Sequence, residues 1–213
     1  MPRMSDAHKA EVRQRILEAA IRVFERTGFA RASMNAIAAE ARLSAGGLYT
    51  HFASKEELFL AAFAAVVADD ERALEKGIAQ SPVTADAIDL AIDFVAGVAA
   101  PTSEQGIRAA GGTFLLHAWA TADENPALRE LLVARREGAV GLSRSVIERA
   151  MARGELPRDL DAEGLARAFT SMLDGLFLQR AEQGQAFTAD QARRQALALV
   201  GIVFHAAAAG DRS

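Results

Sequence analysis

The chain has 213 residues, 51% of them apolar and only 6% aromatic, and it carries no cysteine. These numbers allow one large or two small domains, exclude disulfides, thiol catalysis and Cys-bound metal, and favour closely packed helices over a sheet sandwich. The formal net charge of −4 is unevenly placed: residues 1–55 hold nine Lys/Arg against five Asp/Glu, and the remainder fifteen against twenty-three.

A phosphate field orients such a molecule, because it attracts only the basic end. The opening stretch MPRMSDAHKAEVRQR lacks the apolar core of a signal peptide. No apolar run reaches the roughly 18 residues of a membrane span, so a cytoplasmic protein with no membrane partner is expected. From Lys9 to Thr27, apolar residues recur at Val12, Ile16, Ala19 or Ala20, and Val23 or Phe24, the spacing of an amphipathic helix. Gly28 follows as its C′ residue, where a left-handed backbone is cheap only for glycine.

Ser33 to Lys55 reads as a helix, a tight turn, a second short helix and the cap of a third. Ser33 is an N-cap candidate, and Ile37, Ala38 and Ala41 share the face of the helix it starts. Ala41-Arg42-Leu43-Ser44 is the turn, with Leu43 tucked between the helices. Ser44 caps the next helix, on which Leu48 and Phe52 stand four apart on one face. This is a helix-turn-helix, whose second helix can lie in the DNA major groove.

The run Leu48-Tyr49-Thr50-His51-Phe52 followed by Ser54-Lys55-Glu56-Glu57-Leu58 resembles the TetR family of bacterial transcription regulators. The resemblance extends back to about Lys9. It implies an all-α fold, in which an N-terminal three-helix DNA-binding domain (1–54) continues into a larger helical ligand-binding and dimerisation domain (55–213). By resemblance, Tyr49, His51 and Lys55 take phosphate-contacting or groove-lining places, and Ser33 a backbone contact at a helix start. Leu48 and Phe52 point inward, which leaves Ala45, Gly46, Tyr49 and Thr50 nearer the outward face. Arg42 stands where glycine often occupies the family's turn, and Ala45-Gly46-Gly47 offers little side chain for reading bases. Specificity is then expected to lean on Arg42, Thr50, methyl contacts and DNA deformability.

Ser54 to Glu57 forms a capping box that opens a long helix to about Ile78, with Leu58, Phe59, Ala62, Phe63, Val66 and Val67 as its apolar positions. Thr84 to Ala99 is the next helix, ended by Pro101. A second capping box, Thr102 to Gln105, opens a helix to about Ala120, with the pair Gly111-Gly112 as a soft point inside it. Asn125-Pro126 starts a helix that runs to Arg153. Asp161 caps one that ends near Gly184. A third capping box, Thr188 to Gln191, opens the last helix. Its stretch Ala198-Leu199-Val200-Gly201-Ile202-Val203-Phe204 is apolar all round, so burial on more than one side is expected. Homodimerisation through the last two helices, as a four-helix bundle about a two-fold axis, satisfies this; a fully buried central helix in a monomer is the alternative.

A two-fold protein presents two equivalent reading helices, so its DNA site is expected to be palindromic. The resemblance further implies a small-molecule effector and a repressor that the effector releases. Phe94, Val98, Phe114, His117 and Trp119 are the pocket candidates, apolar or aromatic with two polar handles. An enzyme or a helical small-molecule carrier without DNA binding is the rival reading. The four histidines lack metal-ligand spacing, and no phosphate-cradling glycine loop or G-x-S-x-G is present. No metal or cofactor is expected.

Overall fold

The computed structural model describes residues 6–81, 84–95 and 112–210, all in helices or the links between them, with no strand among the described residues. The elements are α1 (Asp6–Arg31), α2 (Met34–Glu40), α3 (Ala45–Tyr49), α4 (Lys55–Gln80), α5 (Thr84–Val95), α6 (Gly112–Thr121), α7 (Pro126–Arg153), α8 (Ala162–Gln183) and α9 (Ala189–Gly210). A short 3-10 turn, Gly184–Ala186, precedes α9. None of the described helices is long and apolar enough to cross a membrane.

The chain forms two compact units, and the division does not fall at residue 54. One unit takes the described parts of Met1–Asp69 and Thr102–Leu132; the other takes those of Asp70–Pro101 and Val133–Ser213. The head unit thus gains α6 in addition to the helix-turn-helix, while α4 and α7 each contribute residues to both units.

In the head, the apolar stripe of α1 is buried as its spacing requires: Ile16, Ala19, Ala20, Val23 and Phe24 are all 1% exposed or less. Gly28, at φ 72° and ψ 161°, breaks the helical path three residues before Arg31, which is the break expected of a glycine in a conformation that costs other residues a steric clash. The chain turned back at this point brings Phe29 to the interior. There a cluster of rings closes the unit. Phe59 of α4 lies edge-on to Phe24 at 5.3 Å and Phe29 at 5.0 Å, and tilted against Phe114 of α6 at 4.8 Å. His117, one turn further along α6, stacks on Phe29 at 4.9 Å.

In the body, Ile92 of α5, Leu176 of α8, and Ala192 and Ala196 of α9 pack around Phe187. A second cluster joins Ile78, Ala87 and Val146. Helix α7 begins and ends where the sequence signals it: Asn125 Oδ1 accepts the Leu128 N–H at 3.1 Å, and Gly154 at φ 76° terminates it. Beyond Gly154 the Glu155 N–H returns to the Ala150 carbonyl and the Gly154 N–H to Met151. This is the paired C-terminal cap that glycine favours, with Leu156 packed on Ala150 and Met151. Ionic contacts tie the outer faces together. Arg193 of α9 donates to Asp89 and Asp93 of α5, and Arg136 of α7 to Asp174 of α8.

The last helix is not a buried central helix within one chain. Ala192 and Ala196 are fully buried, but Leu197 is 48% and Leu199 54% exposed. Ile202, Val203 and Phe204 have side chains outside the described residues, so that part of the apolar run is not placed. The soft pair likewise falls at an edge: Gly111 lies outside the described residues and Gly112 is the first residue of α6 as described.

Candidate nucleic-acid interface and body cavity

The two short helices of the head are each started by a serine. Ser33 Oγ accepts the Ala36 N–H at 3.2 Å, and Ser44 Oγ accepts the Gly47 N–H at 3.1 Å, each relieving one orphan donor of a first turn. Ile37, Ala38, Ala41, Leu48 and Phe52 form the shared interior, all 2% exposed or less. What remains outside is the surface offered by α3: Ala45, Gly46 and Thr50 are exposed, Gly47 is half-buried and Tyr49 is 52% exposed. A Cβ added at Gly46 would meet nothing within 4 Å, whereas one at Gly47 would press on Ser44 Oγ at 3.2 Å. Thr50 turns its hydroxyl back to the Gly47 carbonyl at 2.7 Å, so the hydroxyl proton is used and its lone pairs remain as acceptors.

Arg42 occupies the turn at φ 57°, a left-handed conformation rare for a residue with a Cβ. Its side chain is exposed, which fits a turn position where glycine would be the unstrained choice.

The basic residues of the head do not all face outward. Arg22 and Arg26 both hold Glu40 of α2, at 3.0 and 3.3 Å. The hydrogen bond from Arg22, then that from Arg26, pull the Glu40 carboxyl below its ordinary range. Lys55 lies inward. Its ammonium donates to the carbonyls of Phe29 at 2.9 Å and Ala32 at 3.1 Å, and sits 4.3 Å from the centre of the Phe29 ring. Those carbonyls follow the break at Gly28, so Lys55 satisfies acceptors that a helix end leaves open. Ser54 caps the Glu57 N–H at 3.0 Å, and the Glu57 carboxylate reaches back to the Ala53 N–H, one residue earlier than a standard capping box.

A cation that the motif does not include stands beside the reading turn. Arg13 of α1 lies 4.2 Å from the Phe52 ring centre and donates to the His51 carbonyl at 3.4 Å. His51 itself is half-buried. No local pattern marks Arg13, because its partner is 38 residues away and nothing in the amphipathic spacing separates it from other exposed positions of α1.

The pocket candidates fall elsewhere than in one pocket. Phe114, 2% exposed, and His117 belong to the ring cluster of the head, and Trp119 lies half-buried on the same helix. The burial of His117, followed by the nearby Lys55 charge, lowers its pKa. Phe94 is on α5 with its side chain outside the described residues, and Val98 is outside them altogether. The body unit holds a cavity of about 320 Å³ lined from α4, α5, α7, α8 and α9, and none of the described candidates Phe114, His117 and Trp119 is among its wall residues. Its wall includes Ile88, Leu142, Phe169 and Met172, with Thr84 and Ser143 supplying hydroxyls. The Ser143 hydroxyl is 3.3 Å from that of buried Thr170. A second, more open groove beside it is charged, lined by Glu71, Glu75 and Arg149; burial raises the Glu71 carboxyl.

Comparison with known proteins matches residues 16–62 to the bacterial regulatory proteins of the tetR family, a span that contains every candidate DNA-contacting position. Residues 99–205, half of the chain, match the C-terminal part of BetI-type transcriptional repressors. The chain belongs to the TetR family. It is therefore a TetR-family transcriptional regulator with a DNA-binding helix-turn-helix, and its relatives are regulators rather than enzymes. It is 28% identical over 185 residues to the HTH-type transcriptional regulator SrpR of Pseudomonas putida, covering 84% of this chain and 79% of that one. The uncharacterized HTH-type transcriptional regulator YfiR of Bacillus subtilis is 27% identical over 181 residues, 82% of each chain. Among solved structures, a TetR-family regulator from Cytophaga hutchinsonii superposes with a TM-score of 0.75 at 19% identity, covering 95% of this chain and 98% of that one. A Saccharomonospora viridis protein in complex with choline gives 0.74 at 23% identity, over 90% and 96%. These two share the TetR-family fold.

Proposed function

We propose that this TetR-family regulator is a cytoplasmic repressor that binds a palindromic operator as a homodimer and leaves it when a small molecule enters the body cavity. The observation that carries the DNA-binding part is the capped pair α2 and α3, held on a buried apolar interior with Arg42, Tyr49 and Thr50 outward. Arg42 and Arg13 are the phosphate anchors of this reading, together with His51 and the backbone at Ser33. Ala45, Gly46 and Gly47 permit close approach to the groove, Thr50 and Tyr49 make the side-chain contacts, and Lys55 acts by fixing the chain between α1 and α2. Leu197 and Leu199 on α9 and Leu178 on α8, all exposed, support a partner subunit on that face. Release by ligand requires only that the ligand bind one dimer arrangement better than the other. Helix α4, started by Ser54 and later supplying Leu74 and Ile78 to the cavity wall, is the element through which it would act.

Electrophoretic mobility shift with the DNA flanking its own gene tests the reading. The expected result is one shifted species at dimer stoichiometry, weakening steeply with salt, and a loss of about two units of salt slope in Arg42→Ala, one phosphate contact per protomer. No shift at low salt would sink it.

A further inference from the structure

No charged side chain is among the described residues that line the body cavity. Those described residues are apolar apart from Thr84 and Ser143, and Phe169 is the one aromatic ring among them. Several ionic groups on the outer faces of this unit pair with one another: Arg193 with Asp89 and Asp93, Arg136 with Asp174, and Arg167 with Glu137. We infer that the cavity selects an uncharged, largely apolar molecule with one hydrogen-bonding group, which meets the Ser143 hydroxyl, and that it rejects cations and carboxylates. The inference rests on the reading of this cavity as the effector site and adds the chemical class of the effector.

Three considerations lead there. A charged ligand entering this space would lose its hydration and find no counter-charge, a cost that shared burial of apolar surface does not offset. A quaternary ammonium is recognised by several aromatic faces around it, and the single ring among the described wall residues does not make such an enclosure. Besides the Thr84 hydroxyl, the polar group of the described wall that can orient a guest is the Ser143 hydroxyl, backed by that of Thr170. Ser143 and Thr170 satisfy each other at 3.3 Å, and a serine hydroxyl that donates to its neighbour still has an acceptor site free, while one that accepts still has its proton. An alcohol, ketone or ester oxygen of the guest can therefore join the pair. The volume, about 320 Å³, lies at the lower end of small-molecule sites, large enough for a medium-chain or bicyclic compound and too small for a helix.

The test uses the full-length protein and the uncharged fluorophore N-phenyl-1-naphthylamine, displaced by 1-decanol, decanoate or choline. The expected result is saturable binding of the fluorophore, displacement by decanol, and displacement by decanoate and choline weaker by at least tenfold. Ala139→Phe, which fills the space from α7, is expected to abolish fluorophore binding while circular dichroism and the melting transition report an intact fold. Ser143→Ala is expected to weaken decanol roughly three- to tenfold, the scale of one hydrogen bond, and to leave the fluorophore unchanged. Absence of fluorophore binding to the wild type, or equal displacement by choline, overturns the inference. Choline binding that disappears in Glu71→Gln would place a cationic guest in the charged groove and overturns it as well. Decanol that binds with the expected selectivity and does not release operator DNA upholds the chemistry of the cavity and instead defeats the repressor mechanism.

Discussion

In the head unit the interior is closed by rings, with Phe59 meeting Phe24, Phe29, Phe63, Phe114 and His117, whereas the body unit leaves a cavity of about 320 Å³ walled by aliphatic side chains. The difference follows from the task of each. A surface that must match a groove in DNA has to be held in one geometry, and a filled aromatic interior transmits little slack. A site for a small guest needs empty volume, and aliphatic helices with small residues such as Ala87, Ala91 and Ala139 at their contacts supply it. On the proposed reading, function in the head lies on the outside of a full core, and in the body inside an incomplete one.

The contrast can be broken most forcefully at Phe59. Phe59→Ala is expected to destabilise the protein by about 3–5 kcal/mol, measured by urea denaturation, with loss of DNA binding in the same range of denaturant. A loss under 1 kcal/mol would show that the rings do not close the head. Next in size comes a paired insertion. Ala38→Leu, in the fully packed interior of the head, is expected to cost about 1–3 kcal/mol, while Ala139→Phe in the body stays within about 1 kcal/mol of the wild type. Equal costs would mean that the cavity is not free space.

Lys55 sharpens the comparison differently. If its ammonium serves the carbonyls of Phe29 and Ala32, Lys55→Met lowers stability by about 1–2 kcal/mol and leaves the salt slope of DNA binding unchanged. A slope reduced by about two, one contact per protomer of the dimer, would assign it to a phosphate instead.

His117 gives a smaller, pH-dependent effect. Its folded pKa is lowered from 6.5 by burial and then by Lys55, so in a window beginning near 6.5 and extending downward the unfolded chain binds the extra proton. Stability is full above that window and falls as the pH drops through it. The melting temperature of the wild type should decline on acidification from pH 7.5, and His117→Phe, which keeps the ring, should decline less; identical profiles would remove His117 from the account. Smallest of all, Gly46→Ala is expected to raise stability by about 0.5–1 kcal/mol, because its Cβ meets nothing and alanine is the better helix former. If Gly46 is where the backbone approaches DNA, the same change weakens operator binding.

Helix starts and stops were legible in the sequence because their chemistry is local. Ser33, Ser44, Asn125 and Asp161 each cap a first-turn N–H as expected, the box at Thr188 and Gln191 closes in both directions, and Gly28 takes the positive φ assigned to it. The inward face of the helix-turn-helix, Leu48 and Phe52 above all, followed from period alone. What spacing could not reveal was pairing at a distance. The inward turn of Lys55 depends on where Phe29 is brought by Gly28, the place of Arg13 depends on a contact across 38 residues, and the allocation of α6 to the head goes with the ring of Phe114, which meets Phe59, 55 residues away, and Phe24, 90 residues away. Polarity among hydrophobic helices pointed to Phe114 and His117 as pocket residues, yet those rings complete a core. The described wall of the body cavity is mostly aliphatic, with Thr84, Ser143 and Phe169 among it, and those positions carry no sequence signal of a pocket.

Gly46 has a consequence for how such a regulator could acquire a new address. The position is exposed, lies inside a helix whose start is already fixed by Ser44, and has open space where a side chain would begin. On the proposed DNA-facing placement of α3, a long polar residue introduced there would reach toward the bases without disturbing the packing beneath. Selection for a different operator therefore has a first step available at this one site, and re-targeting the protein by library screening would best begin by randomising Gly46 with Ala45 and Thr50 beside it.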